Sequence, residues 1–460
     1  MKKLAALLAA LLLLAGCAGM PAETPTPSAA VETPAPTPTP VPTEDPVLAA
    51  AREQEALLSR VTDRFGAVLP AGDFLPWLEE SFPGALEALD GIAPEADPAA
   101  LLYAVTGESI HVLRARFDGL LDNPASARAA GLYLAPDRGA DDIVLAFGGD
   151  INLVDGGYVM PTYRASPNGL AGVLAGGLLD ELRAADVLLL NLEFAFTDRG
   201  APLPGKEYVF RAAPENAALL TDMGVDVAFL ANNHVFDYGA EGLSDTLVAL
   251  DAAGVPGLGA GMDLDAASRP VYYIANGRKI AYVGAGCIER YGIFTPGAAE
   301  NAPGIFRTDE KNAETFLAAI REAAAQSDFV VANLHWGIES TAVLEPYQRE
   351  LGQLCIDAGA DAVVGTHPHV LQGTEFYEGR PIVYSTGNFW FSRTSVNTCL
   401  LQLVLDRDLT LTVRMRPCTT GGGVTTLVSG DAAARVWDYY EGISFGVSID
   451  GEGNITAASP

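Results

Sequence analysis

From about residue 142 onward the sequence predicts an α/β fold, because short apolar, β-branched runs alternate with amphipathic helical stretches. One run after another also ends on a residue of a metal-ligating type. The stretch before this region has helical periodicity and shows no such chemistry. At 460 residues, 49% hydrophobic and 19% charged, the chain can bury a large core and is not disordered throughout. Its 28 basic and 58 acidic residues give a net charge of -30, which repels nucleic acid. An anionic substrate would therefore need a local cationic centre.

Residues 1–17 read as a lipoprotein signal peptide: Lys2 and Lys3 precede an apolar run from Leu4 to Leu14, and Ala15-Gly16-Cys17 has the form of a lipobox. The run is too short to span a bilayer comfortably. Cys17 is thus the expected lipidation site, and the protein is expected to be exported and anchored by lipid at the outer face of the cell membrane. Residues 18–46, rich in Pro, Thr, Ala and Glu, form a tether that cannot bury a core. At ~3.1 Å per residue it would hold the folded part of the chain several nanometres from the membrane.

Residues 47–135 form a helical accessory region, with Leu57, Leu58, Val61 and Phe65 on one face and Ile110, Leu113 and Phe117 repeating the spacing. Pro70, Pro76, Pro83 and Pro94 should break it into short helices, and His111 there reads as structural. In 142–395 the strand candidates are Ile143 to Phe147, Val187 to Leu190, Val225 to Leu230, Ile280 to Val283, Phe329 to Val331, Ala362 to Val364 and Ile382 to Tyr384. Helices are expected over Leu170 to Ala184, Ala240 to Ala253, Ala313 to Ala325 and Tyr347 to Ala358. Residues 396–460 read as a β-rich closing segment, with antiparallel strands over Leu400 to Leu405 and Leu409 to Met415. Cys287, Cys355, Cys399 and Cys418 have no Cys-x-x-Cys spacing, so a cysteine zinc site is not indicated and disulfide pairing stays open.

The polar residues at the strand ends carry the functional argument, because α/β sheets assemble active sites at the C-terminal edge of their strands. The runs end in Gly148-Gly149-Asp150-Ile151-Asn152, Asn191-Leu192-Glu193, Ala231-Asn232-Asn233-His234 with Asp237 beyond, Asn333-Leu334-His335 with Glu339 beyond, and Gly365-Thr366-His367-Pro368-His369. A single histidine after a strand is more often a hydrogen-bonded structural residue. Four of the five histidines in such loops, with carboxylates in equivalent places, reverse that balance. Imidazole with carboxylate suits Mn, Zn or Fe as the divalent ion. Asp237 and Glu339 read either as carboxylates that orient an imidazole or as solvated loop charges.

These motifs, with Asp237-Tyr238-Gly239 and Tyr384-Ser385-Thr386-Gly387-Asn388-Phe389, resemble those of the CapA-type capsule (poly-γ-glutamate) synthesis proteins, relatives of the calcineurin-like metallophosphoesterases. The resemblance covers about residues 142–395. It implies a metallophosphoesterase-like sheet sandwich flanked by helices, with the site at one edge, holding one or two divalent ions. Under it Asp150 is the first-strand ligand, Glu193 takes the place of a bridging aspartate, and Asn233, His335, His367 and His369 complete the set. His234 resembles the residue that protonates a leaving group, with Asp237 as its catalytic companion. The departure is Asn152, where the phosphoesterase pattern has a histidine. Asn152, Glu339, Asn388 and Arg211 are left as supporting or substrate-facing residues, Arg211 as an anion contact or an ordinary surface group.

The expected activity is metal-dependent hydrolysis of a phosphoester, or of an amide in an anionic polymer, at the cell surface. The competing reading is a non-catalytic component that binds the polymer or an export or assembly partner of a capsule system. The phosphate-binding Gly-x-x-x-x-Gly-Lys-Ser/Thr loop is absent, and Ser385 in Tyr384-Ser385-Thr386-Gly387 has no glycine two positions before it.

Overall fold

The computed structural model describes residues 46–458 apart from 67–68, 71, 94–95, 289–293 and 310–312, so Cys17, the signal segment and nearly all of the tether lie outside the described residues. The chain divides into a short unit, residues 1–55, and a large one, residues 56–460. Of the first, residues 46–55 are described, as helix. Among the described residues no helix is long and apolar enough to cross a membrane.

The large unit is a mixed α/β structure with two main sheets. In the first, the strands run in the order Leu132–Leu134, Val271–Ala275, Arg278–Cys287, Phe329–Trp336, Ala362–Thr366, Arg380–Thr386, Leu371–Tyr377. The four from Arg278–Cys287 to Arg380–Thr386 are mutually parallel. In the second, Val396–Leu405 runs antiparallel to Ile143–Ile151, which starts a parallel series with Val187–Leu192, Val227–Phe229 and Gly257–Leu258.

Alternation along the first sheet divides its side chains between two cores, as the two-residue period of a strand requires. Ile280, Tyr282, Val331, Val364 and Val383 face the second sheet and share one core with Leu145, Phe147 and Leu189. Phe147 and Tyr282 touch across that layer, with ring centroids 6.1 Å apart. Ala281, Val283, Val330, Ala332 and Val363 point the other way, to a core with Phe316 and Ile320 of the helix Glu314–Gln326 and Leu351 and Cys355 of Pro346–Asp357. Truncating Phe147 to Ala would cost about 3–5 kcal/mol by opening the layer between the sheets.

One device starts four of the parallel strands. The residue before each strand is an aspartate, and its carboxylate accepts the N–H of the neighbouring strand while its own N–H donates back. Asp186 Oδ2 accepts from Val144 at 2.7 Å, Asp226 Oδ2 from Leu188 at 2.8 Å, Asp328 Oδ2 from Lys279 at 2.7 Å and Asp361 Oδ2 from Val330 at 2.8 Å. The return bonds run to the carbonyls of the same four residues. Strand-end donors that would otherwise lack partners are thereby satisfied, and the register is set from the edge opposite the candidate site. The sequence reading passed over this Asp-before-strand pattern.

The helical region packs Val61, Phe65, Phe74, Leu78, Leu86, Leu102 and Leu113 together. It is pinned to the first sheet where Ser109 donates to Asp328 at 2.6 Å and Tyr103 to the Asn276 carbonyl at 2.9 Å. His111 is half-buried on the helix Ile110–Phe117, and burial lowers its pKa.

Three expectations need correction. Pro76 sits inside the helix Phe74–Ser81 instead of breaking it, because in the first turn its missing N–H has no partner to lose. The expected helix over 170–184 is two, Leu170–Val173 and Leu178–Ala184, parted by Gly176 and Gly177 at φ 70° and 87°. A Cβ on Gly176 would lie 2.4 Å from the Leu427 carbonyl, so the break is built in by packing. The segment after 395 does more than close the fold: Val396–Leu405 lies beside Ile143–Ile151 in mid-sheet, and a helix follows at Asp431–Ile443. Cys287, Cys355, Cys399 and Cys418 are buried, and Cys355, Cys399 and Cys418 are free thiols.

Candidate metal centre

The two parallel series bring their C-terminal ends to one place, and there the polar strand-end residues converge. Asp150 is the next-to-last residue of Ile143–Ile151, beside Asn191 of the neighbouring strand and Asn388 on the other side. Glycine permits this approach: the Asp150 N–H donates to the Gly387 carbonyl at 3.0 Å, and a Cβ on Gly149 would stand 1.6 Å from that oxygen. Glu193 follows the end of its strand, and His335 is the next-to-last residue of Phe329–Trp336. His367 and His369 follow Ala362–Thr366 at φ 100° and 60°, left-handed values that cost non-glycine residues about 1–3 kcal/mol each and concentrate at functional sites.

Two groups share Glu193. In one, Glu193, His335 and His367 offer ligand atoms within 4.8 Å of one another; in the other, Asp150, Glu193 and His369 do so. His335 Nε2 lies 3.6 Å from Glu193 Oε1 and 2.9 Å from Asn233 Oδ1. His369 Nδ1 lies 3.0 Å from Asp150 Oδ2, 3.8 Å from Glu193 Oε2 and 2.8 Å from Asn388 Oδ1. Asp150, Glu193 and His335 are each 0% exposed.

The electrostatics ask for a cation. Both oxygens of Glu193 and Nδ1 of His367 are buried and receive no hydrogen bond from a described residue. A buried carboxylate without donors costs several kcal/mol unless positive charge compensates it. Burial and the neighbouring Asp150 push the Glu193 carboxyl well above its ordinary range. Burial and the surrounding imidazoles push His335 and His367 well below theirs, leaving them neutral with lone pairs to give. Burial also opposes charge on His369, but the Glu193 and Asp150 carboxylates outweigh it and raise its pKa to about 10. In the metal-free protein that imidazolium is the counter-charge of the two acids. Oxygen and imidazole donors in this arrangement fit a divalent cation at either group.

Beside the groups stands a fourth imidazole. His234 Nδ1 lies 2.7 Å from Asp237 Oδ2, and burial, opposed by Asp237, lowers the His234 pKa. Asp237, 0% exposed, is a buried partner of His234 and not a solvated loop charge. The Phe210 ring packs on His234 with centroids 4.5 Å apart, and Phe391 packs on His369 at 5.2 Å.

The remaining residues sort plainly. Asn152 is turned to its own loop, accepting from the Val154 N–H at 3.0 Å. Glu339 is exposed, and its charge acts on Glu193 and His369 at a distance. Arg211 is exposed and stacks over Tyr238 at 4.8 Å. Sequence reasoning gave no role to Asn191, which donates to Asp150 Oδ1 at 2.7 Å, or to Asn232, which donates to Asn191 Oδ1 at 3.0 Å and accepts from the His234 and Val235 N–H groups. Both stood inside quoted motifs. Lys206, which binds Asp237 at 2.6 Å, stood in none, and nothing in its neighbourhood marked it.

Residues 144–393 match the model of a family described as "Bacterial capsule synthesis protein PGA_cap", and the match takes in every strand end just described. The chain belongs to this family. Among similar proteins, the PGA biosynthesis protein CapA of Bacillus subtilis is 37% identical over 213 residues, which are 46% of this chain and 54% of that protein. The capsule biosynthesis protein CapA of Bacillus anthracis is 35% identical over 206 residues, 43% of this chain and 46% of that one. A probable polyglutamine synthesis accessory protein of Mycobacterium tuberculosis is 33% identical over 213 residues, 45% of this chain and 56% of its own. The chain thus spans about half the length of the curated relatives it matches. A crystal structure of a hypothetical protein from Thermus thermophilus aligns with 60% of this chain and 99% of its own, at 15% identity and a TM-score of 0.37.

Proposed function

We propose that this PGA_cap protein is a divalent-metal-dependent hydrolase, held at the cell surface through Cys17, that cuts a phosphoester or amide bond during synthesis or processing of an anionic capsule polymer. One observation carries the reading: a buried carboxylate without hydrogen-bond donors among the described residues, Glu193, is shared by two ligand groups, with a separate imidazole, His234, alongside. A site that served folding alone has no use for that extra imidazole.

Asp150, Glu193 and His369 would hold one cation, and Glu193, His335, His367 and Asn233 a second. When bound, such a cation supplies Lewis acidity, polarising a phosphoryl or carbonyl oxygen and lowering the pKa of water from about 15.7 toward ~7. The chain's own residues do the rest. Asp237, between Lys206 and the Phe210 N–H, accepts a hydrogen bond from Nδ1–H of His234, which leaves the Nε2 lone pair to take up the proton released by the attacking water and deliver it to the leaving group. Phe210 and Phe391, 5.9 Å apart, wall off His234 and His369 and limit water around them. Because the chain carries a net charge of -30, attraction for an anionic polymer is confined to this cationic centre.

The test loads the full chain with Mn²⁺ or Zn²⁺ and measures cleavage of bis(p-nitrophenyl) phosphate and of poly-γ-glutamate, with His234→Ala alongside. Metal-dependent cleavage of either, falling by about 10²–10⁴ in His234→Ala, supports the reading. Metal binding without cleavage of either would favour a polymer-binding or assembly role, and no metal binding would remove the basis of both.

A further inference from the structure

We propose that Lys206 is a positioning residue that holds the Asn233 amide and the Asp237–His234 pair in register at once, an inference that rests on the hydrolase reading above. Lys206 comes from the segment between Ala195–Phe196 and Arg211–Ala212, which has no regular structure around it. Its side chain is only 8% exposed. The ammonium donates to Asp237 Oδ1 at 2.6 Å and to the main-chain carbonyl of Asn233. Its two partners are therefore the residue that orients His234 and the residue whose Oδ1 meets His335 Nε2 at 2.9 Å.

The geometry makes both contacts matter. Asp237 receives the ammonium on one oxygen and, on the other, the Phe210 N–H at 2.6 Å and His234 Nδ1 at 2.7 Å. A carboxylate that is fully buried and paired with an ammonium acts as an acceptor toward all three. His234 must then carry its proton on Nδ1, and its Nε2 stays a lone pair. The same ammonium, with the Thr295 hydroxyl at 2.9 Å, clamps the Asn233 carbonyl and so fixes the peptide from which the Asn233 amide and the His234 ring both project. The Leu203 N–H donates to the Asp237 carbonyl at 2.9 Å, tying the lysine's segment to the same turn. One cation thus couples the ligand side of the site to its proton-transfer side, across 27 residues of sequence to Asn233 and 31 to Asp237.

The test compares the full-length wild type with Lys206→Met, Lys206→Arg and Lys206→Gln. With five histidines in the chain, ¹⁵N imidazole spectra report the His234 tautomer directly, and His234→Ala assigns the signal. The wild type should show the Nδ1–H tautomer alone, with or without Mn²⁺. Lys206→Met should show a tautomer mixture, bind Mn²⁺ about 10–100-fold more weakly by calorimetry, and lower kcat more than it raises KM. Lys206→Arg, which keeps a cation, should restore the single tautomer and most of the affinity. A folded Lys206→Met with the wild-type tautomer and Mn²⁺ affinity within twofold would overturn the proposal. If Lys206→Met does not fold, Lys206→Gln decides on the same two readouts, wild-type values again overturning it. A wild type that binds Mn²⁺ but cuts no substrate overturns the hydrolase reading and leaves the tautomer and affinity outcomes to judge Lys206.

Discussion

Metal binding should expel protons, and the number follows from the site. In the metal-free protein His369 is an imidazolium with a pKa of about 10, held by Glu193 and Asp150 against the opposing effect of burial. At pH 7.5 that value lies about 2.5 units above the medium, so more than ~99% of the molecules carry the proton that a coordinated imidazole must lose. Removing it costs on the order of 3 kcal/mol, roughly a hundredfold or more in apparent affinity. We expect about one proton released when the group containing His369 is occupied, and an apparent affinity that climbs about 10-fold per pH unit from pH 6.5 to 8.5. The sign for stability follows the same groups. A histidine with a raised folded pKa stabilises fully below about 6.5, and that contribution is lost as pH rises toward 10. The metal-free protein should therefore lose stability over that range, and the metal-loaded protein should not. Calorimetric titration of Mn²⁺ in buffers of different ionisation enthalpy gives the proton count as a slope. A slope of zero across this range would refute the assignment of His369 to the cation site.

Two further predictions use other parts of the structure. Gly149→Ala places a methyl group 1.6 Å from the Gly387 carbonyl, so the strand carrying Asp150 must part from the one carrying Asn388. Overpacking of this kind costs about 1–3 kcal/mol, and Mn²⁺ affinity should fall at least ~10-fold; unchanged calorimetric affinity would show that the junction does not set the site. Asp226 is raised from its ordinary value to about 7 by burial, so the folded state keeps its proton longer than the unfolded state and the wild type loses stability as pH rises from about 4 to 7. Asp226→Asn keeps an acceptor for the Leu188 N–H without the charge. Its advantage in urea unfolding should grow from near zero at pH 4 to at most ~4 kcal/mol at pH 8, and a constant difference would exclude Asp226 as the source.

Where a local signal existed, the sequence was a good guide. The strands Phe329–Trp336 and Ala362–Thr366 were legible as apolar runs, and the helices Gly239–Ala253 and Pro346–Asp357 as periodic ones. The strand Leu371–Tyr377 was not, because Gln372, Gly373, Thr374 and Glu375 blur its apolar pattern and satisfy their polar groups through tertiary partners. The single helix expected over 170–184 failed at Gly176 and Gly177, both left-handed, of which Gly176 is held against the distant Leu427 carbonyl.

By itself, then, the sequence determined which residues sit at the strand ends, since strand periodicity and topology are local enough to be read in one dimension. It also marked the histidine, carboxylate and asparagine types that such an edge needs to hold a cation. Only the tertiary structure decided that Glu193 lies between two ligand groups, that Asp237 is a buried partner and not a solvated charge, that Asn152 serves its own loop, and that Lys206 belongs to the site at all. The physical reason is that charge, solvation and hydrogen bonding are properties of neighbours in space. Those neighbours come from segments tens to hundreds of residues apart, as His369 and Asp150 do at a separation of 219.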